Sequence, residues 1–256
     1  MTPLRVCGVP RTPVLISPKN SSSLETELLF GQGFICEHNE GGFVKGTVVP
    51  LRPLANGPVS TGYVRAKDLT VPGEEADYKI ISLKAPVFTK KDIKSQIKML
   101  LPFGARVVMK SSHRDFIRIG RGQYVHRNHI APVGDYETDF VSVAERHLGL
   151  PYIWGGISSD GLDCSGLVQT ALWATGQGCP RNSGEQKDGL GRTVDLENPL
   201  QRGDLIFWPG HVGIMQGAEM MIHANGFHMA TQSEPLKAAA QRIKKSAGPI
   251  IAVKRL

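Results

Sequence analysis

The stretch Gly161-Leu-Asp-Cys-Ser-Gly-Leu-Val-Gln-Thr-Ala-Leu-Trp-Ala-Thr-Gly176 decides how the chain is read. Leu167, Val168, Ala171, Leu172 and Thr175 recur at three- and four-residue spacing, so an amphipathic helix is expected. Asp163 stands at the N-cap position and Gly176 at the left-handed C-cap position. Cys164 therefore falls in the first turn, where unpaired backbone N–H groups and the helix dipole favour a thiolate over a thiol of ordinary pKa near ~8.5. A cysteine there is either a small buried hydrophobe or a nucleophile, and a nucleophile needs a base.

Two late histidines can supply it. Gly203-Asp-Leu-Ile-Phe-Trp208, His211-Val-Gly-Ile-Met215 and Met220-Met-Ile-His223 read as strands. A hairpin turning at Gln216-Gly217-Ala218 would set His211 opposite His223 on one face, with Cβ atoms about 5 Å apart. One imidazole then takes the thiol proton and the other holds its tautomer. A one-residue slip would move every side chain to the other face. Two other readings stay open: half of a metal site, for which the sequence offers no matching third ligand, or ordinary polar core residues. His126 and His129 have no cysteine or carboxylate nearby in sequence and read as surface residues.

The remainder of the chain is organised in three parts. Residues 1–72 hold short strands broken by glycine and proline: Pro13-Val-Leu-Ile-Ser-Pro18, Glu27-Leu-Leu-Phe-Gly31, Gly42-Phe-Val-Lys-Gly-Thr-Val-Val49 and Thr61-Gly-Tyr-Val-Arg-Ala66. A small β-barrel is expected from them. Residues 78–132 repeat the theme, with strands expected at 78–83, 105–109, 116–120 and 123–126. A helical turn or arm is expected over 90–101. "LLFGQGF" (28–34) and "LLPFGARV" (100–107), each followed later by a Tyr-Val pair (Tyr63-Val64, Tyr124-Val125), suggest an internal duplication. From 135 to 256 helices precede strands, which argues for an α+β domain; its first helix lies within Asp139–Leu148.

Composition sets limits. The chain has 256 residues, 41% of them apolar and 21% charged, ordinary values for a globular protein. There is no run of about eighteen apolar residues, so no membrane-spanning helix is expected. The first twenty residues lack a secretory apolar stretch, and the four cysteines form no CxxC pair. A reducing, cytoplasmic setting is expected from these two features, with non-standard export to the cell wall as the alternative. The net charge of +7 is concentrated: residues 78–134 carry 12 basic and 2 acidic side chains. That segment is a solvated surface or a site for a polyanion. Its few interleaved aromatics (Phe88, Phe103, Phe116, Tyr124) argue against nucleic acid.

Taken in order, Pro151-Tyr-Ile-Trp-Gly-Gly156, Asp163-Cys164-Ser165-Gly166, Pro180-Arg181-Asn-Ser183, Gly203-Asp204-Leu205, His211-Val-Gly213 and His223 resemble the NlpC-type cell-wall peptidases. The resemblance covers about residues 135–256. It implies a papain-like α+β cysteine peptidase domain, with helices packed on an antiparallel sheet. The upstream segments resemble two small all-β Src-homology-3-like barrels, 1–72 and the strongly basic 78–132. The whole resembles γ-D-glutamyl-L-diamino-acid endopeptidases, which cut murein peptides.

By that resemblance Cys164 is the nucleophile, His211 the general base and His223 the orienting third member. Tyr152 lines the site and helps stabilise the oxyanion. Asp163 binds the free amine of an N-terminal L-alanine, with Ser165 beside it. Ser183 contacts substrate, and Arg181 meets a peptide carboxylate or is structural. Tyr63, with Glu27 or Glu25 as the acid, would hold the substrate amine from the first barrel; the position after Gly31 is Gln32, not an acid. The implied substrate is L-Ala-γ-D-Glu-diamino acid, without metal or other cofactor, in murein peptide recycling. The rival is an exported or phage-like lytic hydrolase that binds intact peptidoglycan through its basic barrels.

Overall fold

The computed structural model describes residues 3–54 and 57–256, which divide into two compact units. One comprises Met1–Leu51 with Val59–Tyr136, the other Arg52–Pro58 with Glu137–Leu256. Residues 52–58, expected inside the first barrel, thus group with the second unit. The packing shows why: a Cβ on Gly178 would lie 2.5 Å from the Pro53 carbonyl oxygen, so this segment runs directly against the second unit's own backbone.

The first unit is all-β and has two cores. A seven-stranded sheet runs in the order Leu24–Leu29, Arg11–Leu15, Thr61–Arg65, Phe43–Val48, Gly33–Glu40, Leu4–Cys7, Leu69–Thr70. It closes around Val14, Leu28, Phe34, Val44 and Val64. The second core, with Ile80, Val87, Leu101, Val125 and Ile130 at its centre, lies within a five-stranded and a three-stranded sheet. The duplication suggested by sequence exists in the topology. In each half a hairpin (Arg11–Leu15 with Leu24–Leu29; Lys84–Phe88 with Ile97–Pro102) offers the outer edge of its first strand to the Tyr-Val strand, through Leu15↔Tyr63 and Phe88↔Tyr124. A single 3₁₀ turn then follows in both, Ala66–Asp68 and Arg127–His129.

The helical arm expected over 90–101 is not formed. Asp92 Oδ1 accepts from Lys94 N at 2.8 Å, and the Ser95 hydroxyl donates to the Asp92 carbonyl at 2.7 Å. These local bonds make a turn, and Ile97–Pro102 continues as a strand paired with Lys84–Phe88.

The second unit carries a six-stranded antiparallel sheet in the order Arg192–Val194, Ala252–Arg255, Leu205–Trp208, His211–Met215, Met220–Asn225, Ala230–Pro235. Four helices accompany it: α1 (Phe140–Glu145), α2 (Cys164–Ala174), α3 (Ser183–Gly189) and α4 (Leu236–Ser246). Asp204, fully buried, accepts two bonds of 2.7 Å from Arg255 and so ties the last strand to the sheet's centre. Helix α4 lays Ala239 and Ile243 in one cluster with Ile206, Trp208, Met215 and Met221. Among the described residues no helix is long and apolar enough to cross a membrane.

Candidate active site

Helix α2 starts and stops where its sequence says it should. Asp163 caps it, accepting from Gly166 N at 2.7 Å, and Gly176 follows it at φ +82°. The amphipathic reading is corrected: α2 is buried on nearly every side, including Gln169 and Thr170. Those two polar side chains are compatible with the interior because they donate to the carbonyls of Cys179 and Ile157 at 3.0 and 3.2 Å. Gly166 must be glycine, since a Cβ there would stand 2.1 Å from the Gly156 carbonyl oxygen. The loop 155–156 and the first turn of α2 are therefore in backbone contact, and Cys164 is presented from a rigid base.

The Cys164 sulfur lies 4.0 Å from the carbonyl oxygen of Gly210, the residue before His211. The backbone N–H groups of Ser165 and Val212 are directed at it. Burial nevertheless pushes the thiol up to about 11, aided by the negative charge of Asp163, and outweighs those N–H groups and Arg181. The expectation of a resting thiolate is thus reversed: dehydration beats the helix terminus. All four cysteines are free thiols, and burial raises each of them.

His211 and His223 do meet, but through a different register. Ile214 pairs with Ile222 and Met215 with Met221, a shift of two residues from the expected pairing. The cause is Gln216, which stays in the ladder by donating its N–H to the Met220 carbonyl at 2.8 Å, so the turn comes one residue later. A shift of two keeps both histidines on one face. Gly213, without a side chain, stands beside the Cβ of His223, 3.5 Å from where its own Cβ would be. The His211 ring leans across that gap and its Nε2 lies 2.8 Å from His223 Nδ1. Burial lowers the two imidazoles to about 3 and about 4, so both are neutral at physiological pH.

The line continues past the residues found in sequence. His223 Nε2 lies 2.7 Å from Glu234 Oε1, and Arg242 of α4 donates to both Glu234 oxygens at 2.5 and 2.7 Å. Burial opposes ionisation of Glu234, but the bonds from Arg242 and His223 outweigh it and hold the carboxyl down to about 2. Sequence reading missed both residues. Their only signal is an acid and a base eight residues apart at a strand–helix junction.

Asp163 is not turned to substrate. Its oxygens accept from Gly166 N, Gly155 N (2.8 Å), the Ser165 hydroxyl (3.2 Å) and both terminal nitrogens of Arg181 (3.0 and 2.6 Å). The residue is 7% exposed. Five donors leave it no capacity for an ammonium ion. The carboxylate role for Arg181 is likewise corrected: it is 5% exposed and its guanidinium faces Asp163 and the Ser165 hydroxyl. Ser165 is locked between those two.

Tyr152 sits half-buried, its N–H bonded to the Met229 carbonyl at 3.0 Å. Burial, then the nearby Cys164 and Asp163, raise its phenol to about 12, so it stays a hydrogen-bond donor close to the sulfur. Ser183 opens α3, half-buried. Tyr63 and Glu27 belong to the first unit, where they flank the same strand: Tyr63 pairs with Leu15 and Glu27 with Pro13. Glu27 is 1% exposed and bonded to Arg11 at 2.7 Å.

Among the described residues His223, His228 and Glu234 bring ligand-type atoms within 4.8 Å of one another. The group shares only His223 with the His211–His223 pair considered in sequence, so it does not complete that half-site. The Arg242 guanidinium also covers both oxygens of Glu234, so a metal cation would meet a positive charge at its carboxylate ligand.

A buried thiol at a helix start, beside a strand whose first residue is a histidine oriented by a second histidine, defines a papain-like cysteine peptidase site. Residues 149–244 match the NlpC/P60 family, and this part of the chain is an NlpC/P60 domain; the protein is a cysteine peptidase, a hydrolase. Two relatives named gamma-D-glutamyl-L-lysine dipeptidyl-peptidase align with it. The one from Bacillus subtilis (strain 168) is 26% identical over 78% of this chain and 72% of its own length. The one from Bacillus cereus is 28% identical over 85% and 72%. A crystal structure of an NlpC/P60 family protein from Bacillus cereus matches 98% of this chain and 99% of that one with a TM-score of 0.82 at 22% identity, so the fold is shared along the length.

Proposed function

We propose that the protein hydrolyses the γ-D-glutamyl–L-diamino-acid bond of murein peptides, with Cys164 as nucleophile and His211 as base. The observation that carries this reading is the hydrogen-bonded line from Glu234 through His223 to His211, the residue after Gly210, whose carbonyl oxygen lies 4.0 Å from the Cys164 sulfur. The names of the two Bacillus relatives supply the substrate class. Both thiol and imidazole rest neutral, so the reaction begins with proton transfer. His211 takes the thiol proton as sulfur attacks the γ-carbonyl carbon. The tetrahedral oxyanion is stabilised by the protonated Tyr152 phenol and backbone N–H groups. The imidazolium of His211 then protonates the departing amine, and water, deprotonated by the same ring, hydrolyses the thioester.

A dipeptidyl-peptidase acts on a free N-terminus, and we extend that requirement to this chain, with L-alanine as the first residue. Since Asp163 is saturated, we assign recognition of the amine to a group other than Asp163. Cutting only released peptides suits murein recycling in the cytoplasm. The two β-cores are read as Src-homology-3-like folds, on the strength of their repeated strand order.

Mass spectrometry of products from L-Ala-γ-D-Glu-diaminopimelate, with and without an N-acyl group, tests the assignment. Release of L-Ala-γ-D-Glu by the native protein, its absence with Cys164→Ala, and no cleavage of the acylated peptide are expected. Cleavage elsewhere, or retained activity in Cys164→Ala, overturns it. The lytic alternative draws on the 12 basic against 2 acidic residues of segment 78–134. It predicts retention on insoluble sacculi, lost at high salt, with release of peptide.

A further inference from the structure

Hydrogen-bond direction along the histidine line is not free, because one end can only accept. Glu234 is an ionised carboxylate with no proton to give. Its Oε1, 2.7 Å from His223 Nε2, therefore requires that nitrogen to carry a hydrogen. A neutral imidazole has one N–H, so His223 Nδ1 is left as an acceptor. His211 Nε2, 2.8 Å away, must then donate. The only ring nitrogen of His211 with a lone pair is consequently Nδ1. With the carboxylate removed, every bond in the line could reverse, and His211 would present an N–H where a base is needed.

The geometry that enforces this is a diagonal across three strands. Met215 pairs with Met221 and Met221 with Glu234, so His211, His223 and Glu234 share one face. His223 pairs with Gln232, and Glu234 stands two places along. Diagonal neighbours about 7–8 Å apart are within reach of long or aromatic side chains. Arg242 anchors the far end, gripping both Glu234 oxygens, and its guanidinium stacks 4.3 Å from the centre of the Phe227 ring. His228 Nδ1 approaches the same Oε1 only to 3.9 Å and is bonded instead to Asn225 Oδ1 at 3.1 Å.

We infer that Glu234, clamped by Arg242, is a positioning residue that fixes the tautomers of His223 and His211 so that His211 Nδ1 is the free base. This rests on the reading of Cys164 and His211 as nucleophile and base. Glu234 touches no reacting atom; it acts through His223.

The test has two arms. Long-range ¹H–¹⁵N spectra of the native protein report which ring nitrogens carry hydrogen, without any need for turnover. Hydrogen on His223 Nε2 and His211 Nε2 is expected, with both Nδ1 atoms bare. Hydrogen on either Nδ1 overturns the inference, whatever the variants do. In the second arm Glu234→Met removes the acceptor at similar length, while Glu234→Gln keeps a carbonyl oxygen. For Glu234→Met, kcat should fall roughly 100- to 1,000-fold with KM within about twofold, and the tautomers should mix. Glu234→Gln should recover part of that loss. A folded Glu234→Met with kcat within threefold of native also overturns it. Activity retained by Cys164→Ala would sink the catalytic reading while leaving the tautomer result standing, so the two failures are distinguishable.

Discussion

Two acid–arginine pairs flank the candidate site, and they differ in kind. Asp163–Arg181 lies at the start of helix α2, with both side chains at most 10% exposed. Glu234–Arg242 lies behind the histidines, with the arginine 25% exposed. Both are bidentate. The donors around Asp163 are backbone N–H groups, a hydroxyl and a guanidinium, none of which titrates near neutrality. One donor to Glu234 is an imidazole. The first pair therefore serves as architecture, holding loop 155–156 and the first turn of α2 as one piece. The second is coupled to a ring whose proton position matters for chemistry. The same ionic motif gives rigidity in one place and proton direction in the other, and what decides is the nature of the remaining donors.

The largest expected effect comes from breaking the architectural pair. Asp163→Asn keeps the cap on Gly166 but removes the carboxylate charge that faces the buried Arg181 guanidinium. Loss of one partner from a buried pair costs roughly 3–5 kcal/mol. Thermal or urea denaturation of the variant should show a loss of that order. Activity should fall alike on free and N-acylated peptides. A variant of native stability that lost activity only on free-amine peptides would restore Asp163 to a substrate role and erase the contrast.

Breaking the second pair should act on rate before stability. Arg242→Met removes the clamp from Glu234 at a position one-quarter exposed, and about 1 kcal/mol or less of stability is expected to go with it. Steady-state kinetics should show kcat reduced about tenfold, less than for loss of Glu234 itself. If Arg242→Met destabilised the protein as much as Asp163→Asn, the two pairs would be alike after all.

Acid should find the histidine side first. The unfolded chain binds protons at its histidines near pH 6.5, whereas folded His211 and His223 stay neutral down to about 3 and 4. Below 6.5 the unfolded state thus holds more protons, and stability falls as pH falls. Glu234 adds to this with the same sign: its stabilising charge is complete above about 4.5 and is lost as pH drops through about 2. The melting temperature should decline steadily from pH 7 to pH 3. Each imidazole should contribute on the order of 1 kcal/mol per pH unit below 6.5. His211→Asn should flatten the upper part of that curve. A flat native curve between pH 6.5 and 4.5 would show that the rings are charged in the folded protein.

How much of this the sequence could reveal follows from where each constraint lies. Helix α2 was legible because its cap, its first turn and its terminating glycine sit within one short stretch, and local chemistry fixes all three. The shared face of His211 and His223 was legible from a period of two. Their register was not, because the turn is placed by Gln216, whose amide reaches Glu145 Oε1 at 2.9 Å and whose carbonyl oxygen takes the Ser233 hydroxyl. Glu145 and Ser233 are distant in sequence. The strand Ala230–Pro235, ATQSEP, has little β-propensity of its own and exists because Met220–Asn225 offers it an edge. Glu234 was invisible for that reason. Asp163 reads only in part for a related reason: its sequence neighbours announce a cap, but the arginine that saturates it is 18 residues away.

The smallest expected effect probes the gap that lets the histidines meet. Gly213 stands between them on the shared face, and a Cβ there would lie 3.1 Å from the Met221 sulfur and 3.5 Å from His223 Cβ. The Met221 side chain is unbranched and can give by a few tenths of an ångström. Gly213 has no positive φ, so alanine adds no backbone strain. Gly213→Ala should therefore fold with native-like stability, within about 1 kcal/mol. The added methyl crowds the path by which His211 leans toward His223, and the 2.8 Å bond between the rings should lengthen. A few-fold fall in kcat with unchanged KM is expected from steady-state kinetics. Tautomer signals of His223 should stay as in the native protein, since Glu234 is untouched. If those signals changed as they do on loss of Glu234, the inter-ring bond, and not the carboxylate, would be what sets the direction of the line.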